Sequence, residues 1–164
     1  MVFNSESRDL GGFVEVIEPR ALEGVVEASD ILCLLNHNVD KGVLARCNKG
    51  VGSLSLSVDE RGLKYSFEAP NTNLGDELLE GLRRGDITNS SFAFKVGEDK
   101  WTKRSDGSYL RTISNIKEMF DVSPVYKAAY DATSVNTRGM DEAKALEKKE
   151  LDDYYNELRK SINV

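Results

Sequence analysis

The sequence predicts a mostly β domain of the α+β class: a closed or partly open antiparallel β-barrel with peripheral helices. Three observations carry this reading. SLSLSVDERGLKYSFEA (53–69) alternates apolar and polar residues on both sides of a turn, as an antiparallel hairpin with one buried face does. ITNSSFAFKV (87–96) and the segments after it return to the same period of two. Between them, 69–86 is the one stretch before the C-terminal region with a helical period. Strands with few helices suit a barrel or curled sheet.

The elements follow in order. FVEVIEPRAL (13–22) reads as an edge strand running into a turn at Pro19. ILCLLNHN (31–38) is a continuous apolar run ending in polar residues, the pattern of a buried strand emerging at a surface. In the hairpin, Leu54, Leu56 and Val58 alternate with serines, DERG turns the chain, and Leu63, Tyr65 and Phe67 resume the alternation. In APNTNLGDELLEGLRRGD, Leu74, Leu78 and Leu82 recur every four residues with Leu79 beside them, giving one apolar stripe. Asn71, Thr72 or Asn73 caps its start, Asp76 and Glu77 suit its positive end, and Gly85 stops it after Arg83 and Arg84. WTKRSDGSYLRTIS (101–114) reads as a second hairpin turning at Ser105–Ser108, and IKEMFDVSPVY (116–126) as a strand running into Pro124. From Asp141 the composition changes: twelve of the twenty residues 141–160 are charged, with Leu151, Tyr154, Tyr155 and Leu158 at helical spacing. Residues 1–137 are therefore read as the barrel domain and 138–164 as a charged C-terminal helical segment.

Composition narrows the function. A chain of 164 residues, 40% apolar and 30% charged, suits one domain able to bury a core. A net charge of −6 argues against a nucleic-acid binder. No apolar run is long enough to span a bilayer and the N-terminus lacks a signal-peptide pattern, so no membrane partner and an intracellular location are expected. Cys33, Cys47 and His37 are the only soft ligands and lack metal-ligand spacing, so neither a metal nor a cofactor is expected. A disulfide is not expected in a reducing cytosol.

The pair Ser90–Ser91 in GDITNSSFAF raises a question of nucleophilic chemistry. Side chains alternate along a strand, so Phe92, Phe94 and Val96 share the core face with Ser90, and Ser91 points the other way beside the small Ala93, which leaves room at its hydroxyl. Ser91 is the candidate nucleophile; Ser90 is expected to satisfy a buried hydrogen bond or cap the turn. Against this stands the plain reading of both as strand serines. His37, the chain's one histidine, must carry any imidazole chemistry. It reads either as a half-buried residue at a strand end or as a general base, since imidazole titrates near pH ~6.5. Four strand residues span about 13 Å, so Cys33 cannot pair with His37 along one strand and reads as core. An imidazole base needs an orienting group, and Asp121, an acid within the strand MFDVSPV, is the first candidate, ahead of Asp86 and Asp131.

These pieces in this order resemble the prohead (capsid maturation) serine proteases of tailed bacteriophages, related in fold to the herpesvirus protease assemblin. The resemblance runs through VFNSESRDLGGFVEVIEPRAL, LLNHN, LSVDERGLKYSFEAPNT, LLEGLRRGDITNSSFAF and FDVSPVYKAAYDAT, and covers roughly residues 2 to 135. It implies His37 as the histidine of the family's Asn-His-(Asn/Asp) motif and Ser91 as the serine preceding Phe-Gly/Ala-Phe. It further implies Asp121 as the acid of (Glu/Asp)-Val-Ser-x-Val. The activity implied is peptide hydrolysis through an acyl-enzyme. Scaffold, the N-terminal segment of the major capsid protein precursor, or the protease itself would be the substrate, inside the procapsid in the host bacterial cytoplasm. The assemblin likeness further implies a homodimer or higher oligomer.

Relatives usually carry residues ahead of the strand leading into Val2-Phe3-Asn4, so the resemblance implies that the sequence enters that strand midway. It also makes Val164 a candidate processing boundary. Two other readings stand beside this one. A catalytically silent scaffold or assembly protein would keep the barrel as a binding module. A small-ester hydrolase is disfavoured by the absence of a G-x-S-x-G elbow.

Overall fold

The computed structural model describes residues 1–126 and, further on, residues 145–146, 148–150 and 153, which are helical. The boundary expected at 137 and 138, and the stripe Leu151, Tyr154, Tyr155 and Leu158, lie outside the described residues.

One long strand organises the molecule. β8 (Tyr109–Val125) pairs along its whole length with β7 (Asn89–Lys103), antiparallel. Its other edge is shared: the first half pairs in parallel with β1 (Phe13–Ile17), and the second half with β2 (Asp30–Cys33), also in parallel. From β2 the sheet continues antiparallel through β3 (Ala45–Asn48) to β4 (Val51–Gly52). The hairpin β5 (Ser55–Asp59) and β6 (Gly62–Ser66) forms a second, two-stranded sheet.

The mostly β class expected from the sequence holds. The antiparallel barrel does not: the main sheet is mixed, and among the described residues its strands do not close on themselves. The parallel pairs arise because β1 and β2 reach β8 through separate crossovers rather than hairpin turns. β7 and β8 also merge three expected segments, a strand, a hairpin and a second strand, into one long hairpin whose tip lies at Arg104–Ser108. Register shifts between Ala93 and Asp99 disrupt the alternation along β7 and made the strand look like two pieces.

After the short helix α1 (Val25–Ala28), the helix α2 (Asn73–Arg84) starts and stops as its caps dictate. Thr72 Oγ1 accepts from Gly75 N–H, and Gly85, at φ 77°, adopts the left-handed conformation that ends it. Its buried face differs from the expected stripe. Leu78, Gly75 and Gly81 are buried and Leu74 packs against the core, while Leu79 and Leu82 are exposed. A period of 3.6 carries a spacing of four off the face within two turns, and the glycines bring the helix close to Pro70 and Ile87. The core joins this helix to both sheets through Ile17, Leu22, Ile31, Leu44, Leu63, Ile113, Met119 and Val122.

Candidate active site

His37 lies beyond the end of β2, where the chain stays on the sheet before turning. Leu34 N–H donates to Val122 O at 3.2 Å and Asn36 N–H to Pro124 O at 2.9 Å, extending the alignment with β8 past Cys33. The chain then reverses: Asn38 N–H donates to Leu35 O at 3.2 Å across two central residues, Asn36 and His37, both at φ 56°. Positive φ at both centres is the signature of a type I′ turn. Asparagine tolerates it, whereas for histidine the left-handed conformation costs on the order of 1–2 kcal/mol. Asn38 Oδ1 accepts from Asp40 N–H at 2.9 Å and starts the 3₁₀ turn Val39–Lys41. Lys41 Nζ donates to Glu77 of α2 at 2.7 Å, and Tyr126 Oη, just past β8, donates to the same oxygen at 3.0 Å. The turn bearing His37 is thus fastened to the sheet on one side and to the helix on the other.

That turn delivers the imidazole to Asp121. His37 Nδ1–H donates to Asp121 Oδ1 at 2.6 Å, between residues 84 apart in the chain. Because an ionised carboxylate can only accept, in the neutral imidazole the contact puts the proton on Nδ1 and leaves Nε2 as the acceptor nitrogen. Asp121 is buried, and its second partner is Ser123, whose Oγ–H donates to the same Oδ1 at 2.7 Å. The acid that looked out of place in a strand is one with two hydrogen-bond partners.

Ser91 lies on the adjacent strand. In the β7–β8 register it stands opposite Ser123, and Ala93 stands opposite Asp121. Cross-strand partners share a face, so Ser91, Ser123 and Asp121 belong to one side of the sheet. Ser90, opposite Pro124, belongs to the other side with Phe92, which packs against the core. Alternation along β7 likewise puts Ser90 and Ser91 on opposite faces. One detail adds to the expectation and one differs from it. Ser91 is only 7% exposed, on the face it shares with Ala93. Ser90 is exposed rather than buried, and its hydroxyl bonds Tyr65 Oη of β6 at 2.6 Å and donates to Ser123 O at 3.4 Å, tying the separate hairpin to β7. No hydrogen bond joins Ser91 to His37 among the described residues.

The other candidates fall away from this group. Cys33 is fully buried in the core, and burial, with a smaller contribution from the charge of Asp121, pushes its thiol up to about 12. Asp86 pairs with Arg84 at 3.0 Å at the end of α2, and Asp131 lies outside the described residues. Among the described residues no group of three or more histidine, cysteine or carboxylate side chains gathers as a metal site. None of the helices described is long and apolar enough to cross a membrane. Sequence reasoning missed Ser123, since a serine alternating in a strand carries no mark of what it faces.

No curated protein and no solved structure matches this chain. A family model, that of the caudovirus prohead serine proteases, matches residues 1–146. The match takes in the turn carrying His37, the strand carrying Ser91 and the strand carrying Asp121, and the chain belongs to the caudovirus prohead serine protease family.

Proposed function

We propose that the protein is a serine endopeptidase of procapsid maturation in which Ser91 is the nucleophile, His37 the general base and Asp121 the group that orients it. The observation that carries this reading is the 2.6 Å bond from His37 Nδ1 to Asp121 on the face of the sheet that Ser91 shares. With Nδ1 held by the carboxylate, Nε2 takes the Ser91 proton as Oγ attacks the scissile carbonyl. The imidazolium then gives that proton to the leaving amine, and a water activated by the same nitrogen releases the acyl group. Asp121 stays ionised and stabilises the imidazolium throughout. The hydrogen bond from Ser91 to His37 forms on substrate binding, in line with catalytic bonds that tighten only in the Michaelis complex.

The substrates in this reading are the scaffold and the N-terminal segment of the capsid protein precursor, with the protease itself a further one, cut inside the procapsid by a homodimer or higher oligomer. The barrel of the assemblin likeness is not needed for it, because β7, β8 and the turn that follows β2 already carry the three residues.

The test is co-expression with the cognate scaffold and capsid precursor, followed by intact mass. Ser90→Ala is expected to process the precursor, while Ser91→Ala and His37→Ala each lose at least about 10³-fold in rate. A wild-type chain that leaves the precursor whole would shift the conclusion to a catalytically silent assembly protein. The low exposure of Ser91 and its missing bond to His37 are the observations on that side.

A further inference from the structure

Ser123 stands at the centre of the proposed catalytic group without belonging to it. Its side chain is fully buried, at 0% exposure, so it cannot meet a substrate and is no rival to Ser91 as nucleophile. A buried hydroxyl must find a partner, and its partner is Asp121 Oδ1 at 2.7 Å, the oxygen that also receives His37 Nδ1–H. One carboxylate oxygen therefore holds two donors, one from the imidazole and one from its own strand. Its backbone meets the same neighbourhood: Ser123 O accepts from Ser90 Oγ at 3.4 Å, and Ser123 is the cross-strand partner of Ser91.

The terminal torsion of an aspartate is broad, so a carboxylate held by one donor turns easily out of line with that donor. The second donor removes that freedom. We infer that Ser123 is a positioning residue: by donating to Asp121 Oδ1 it locks the carboxylate in the rotamer that keeps the proton of neutral His37 on Nδ1 and Nε2 free to accept. The inference rests on the proposed protease reading for its catalytic consequence. Its structural content, the tautomer of His37, stands apart from that reading and can be measured apart from it.

The chain has one histidine, so imidazole ¹⁵N shifts of the full-length protein report this tautomer without overlap. Reactivity is read with a fluorophosphonate probe: Ser91 Oγ forms the P–O bond as the P–F bond breaks, its proton passing to His37 and fluoride to water. In the wild type the shifts should show Nδ1 protonated and Nε2 bare, with labelling at Ser91 seen by intact mass. In Ser123→Ala the neutral ring should shift towards the Nε2–H form, and labelling should slow about tenfold, the scale of one lost hydrogen bond to a charged group. Ser123→Cys fills nearly the same space with a weak donor and is expected to do the same, so the test survives if the alanine variant fails to fold. If both variants keep the wild-type tautomer, the inference is overturned, whether labelling slows or not. If the wild type itself is not labelled at Ser91, the protease assignment falls instead, and the nitrogen shifts alone decide the role of Ser123.

Discussion

Left-handed backbone at a histidine is costly, and the chain meets that cost by holding the turn from three sides. Asn36 N–H bonds β8, Asn38 closes the turn on Leu35, and Lys41 reaches α2. Strain that persists because its surroundings over-determine it is common where a side chain must be aimed. Here it aims the imidazole at a carboxylate on another strand. Single residues were partly legible in advance. Asp121 stood out because an acid inside an apolar strand needs a partner, and it has two. Ser91 is only 7% exposed, because a small neighbour on the same strand does not decide what covers that face. Cys33 read as core and is core. With its thiol pushed up to about 12, mainly by burial, it is not a thiolate at neutral pH. Iodoacetamide should therefore leave the native protein's Cys33 unmodified at neutral pH and alkylate it once urea unfolds the chain. Peptide mapping of both samples checks this, and rapid native alkylation at Cys33 would show a thiol far more accessible than its burial implies.

Among the elements, α2 shows how far a pattern reaches. Its N-cap is Thr72, one of the three residues the sequence offers, and Gly85 ends it as expected, because capping is local chemistry between neighbours in sequence. Its buried face was misread: a stripe of leucines four apart counted Leu79 and Leu82, yet both are exposed while Gly75 and Gly81 are buried. Glycine carries no apolar signal, so a face built by close backbone approach is invisible to hydropathy. The consequences separate cleanly in urea unfolding. Leu78→Ala should cost roughly 2–5 kcal/mol, as buried leucine truncations do, whereas Leu79→Ala and Leu82→Ala should stay within about 0.5 kcal/mol. Gly75→Ala should destabilise the protein although alanine favours a helix by about 1 kcal/mol, because its Cβ would collide with the backbone oxygen of Pro70. A stabilised Gly75→Ala would mean that the contact relaxes freely. The hairpin β3–β4 was missed as well. Its turn, Lys49–Gly50 with φ of 52° and 81°, is a short Gly-bearing pair between strands too brief to show alternation.

Across the whole molecule, β8 unites the parts: β7 lies along one edge, β1 and β2 divide the other, and the candidate site forms where β2, β7 and β8 run side by side. At the opposite end of β8, Arg111 links Glu15 of β1 at 3.5 Å to Asp99 of β7 at 2.6 Å and lies over the Trp101 ring at 5.3 Å. Burial raises the pKa of Glu15 above its ordinary 4.5, and Arg111 opposes the shift without cancelling it. A carboxyl raised in this way holds its proton more tightly folded than unfolded. Its stability contribution is complete below pH 4.5 and is lost as the pH rises through the raised value. Asp9 and Asp59 oppose this trend: backbone N–H donors in their turns lower both, so their contribution is present above 3.8 and lost as pH falls. Urea midpoints measured from pH 4.5 to neutrality should accordingly decline less in Glu15→Gln than in the wild type. Identical profiles would show that Glu15 titrates normally. By itself the sequence determined the mostly β class, a helix within 69–86 stopped by Gly85, the β5–β6 hairpin, the opposite faces of Ser90 and Ser91, and the order of motifs that marks the family. Only the tertiary structure decided that the sheet is mixed and unclosed, that β1 and β2 pair in parallel with β8, and that His37, Asp121 and Ser123 share one carboxylate oxygen. The reason is physical: alternation records which face of a strand is buried, while the pairing of its edges is made by backbone groups that every residue except proline carries alike.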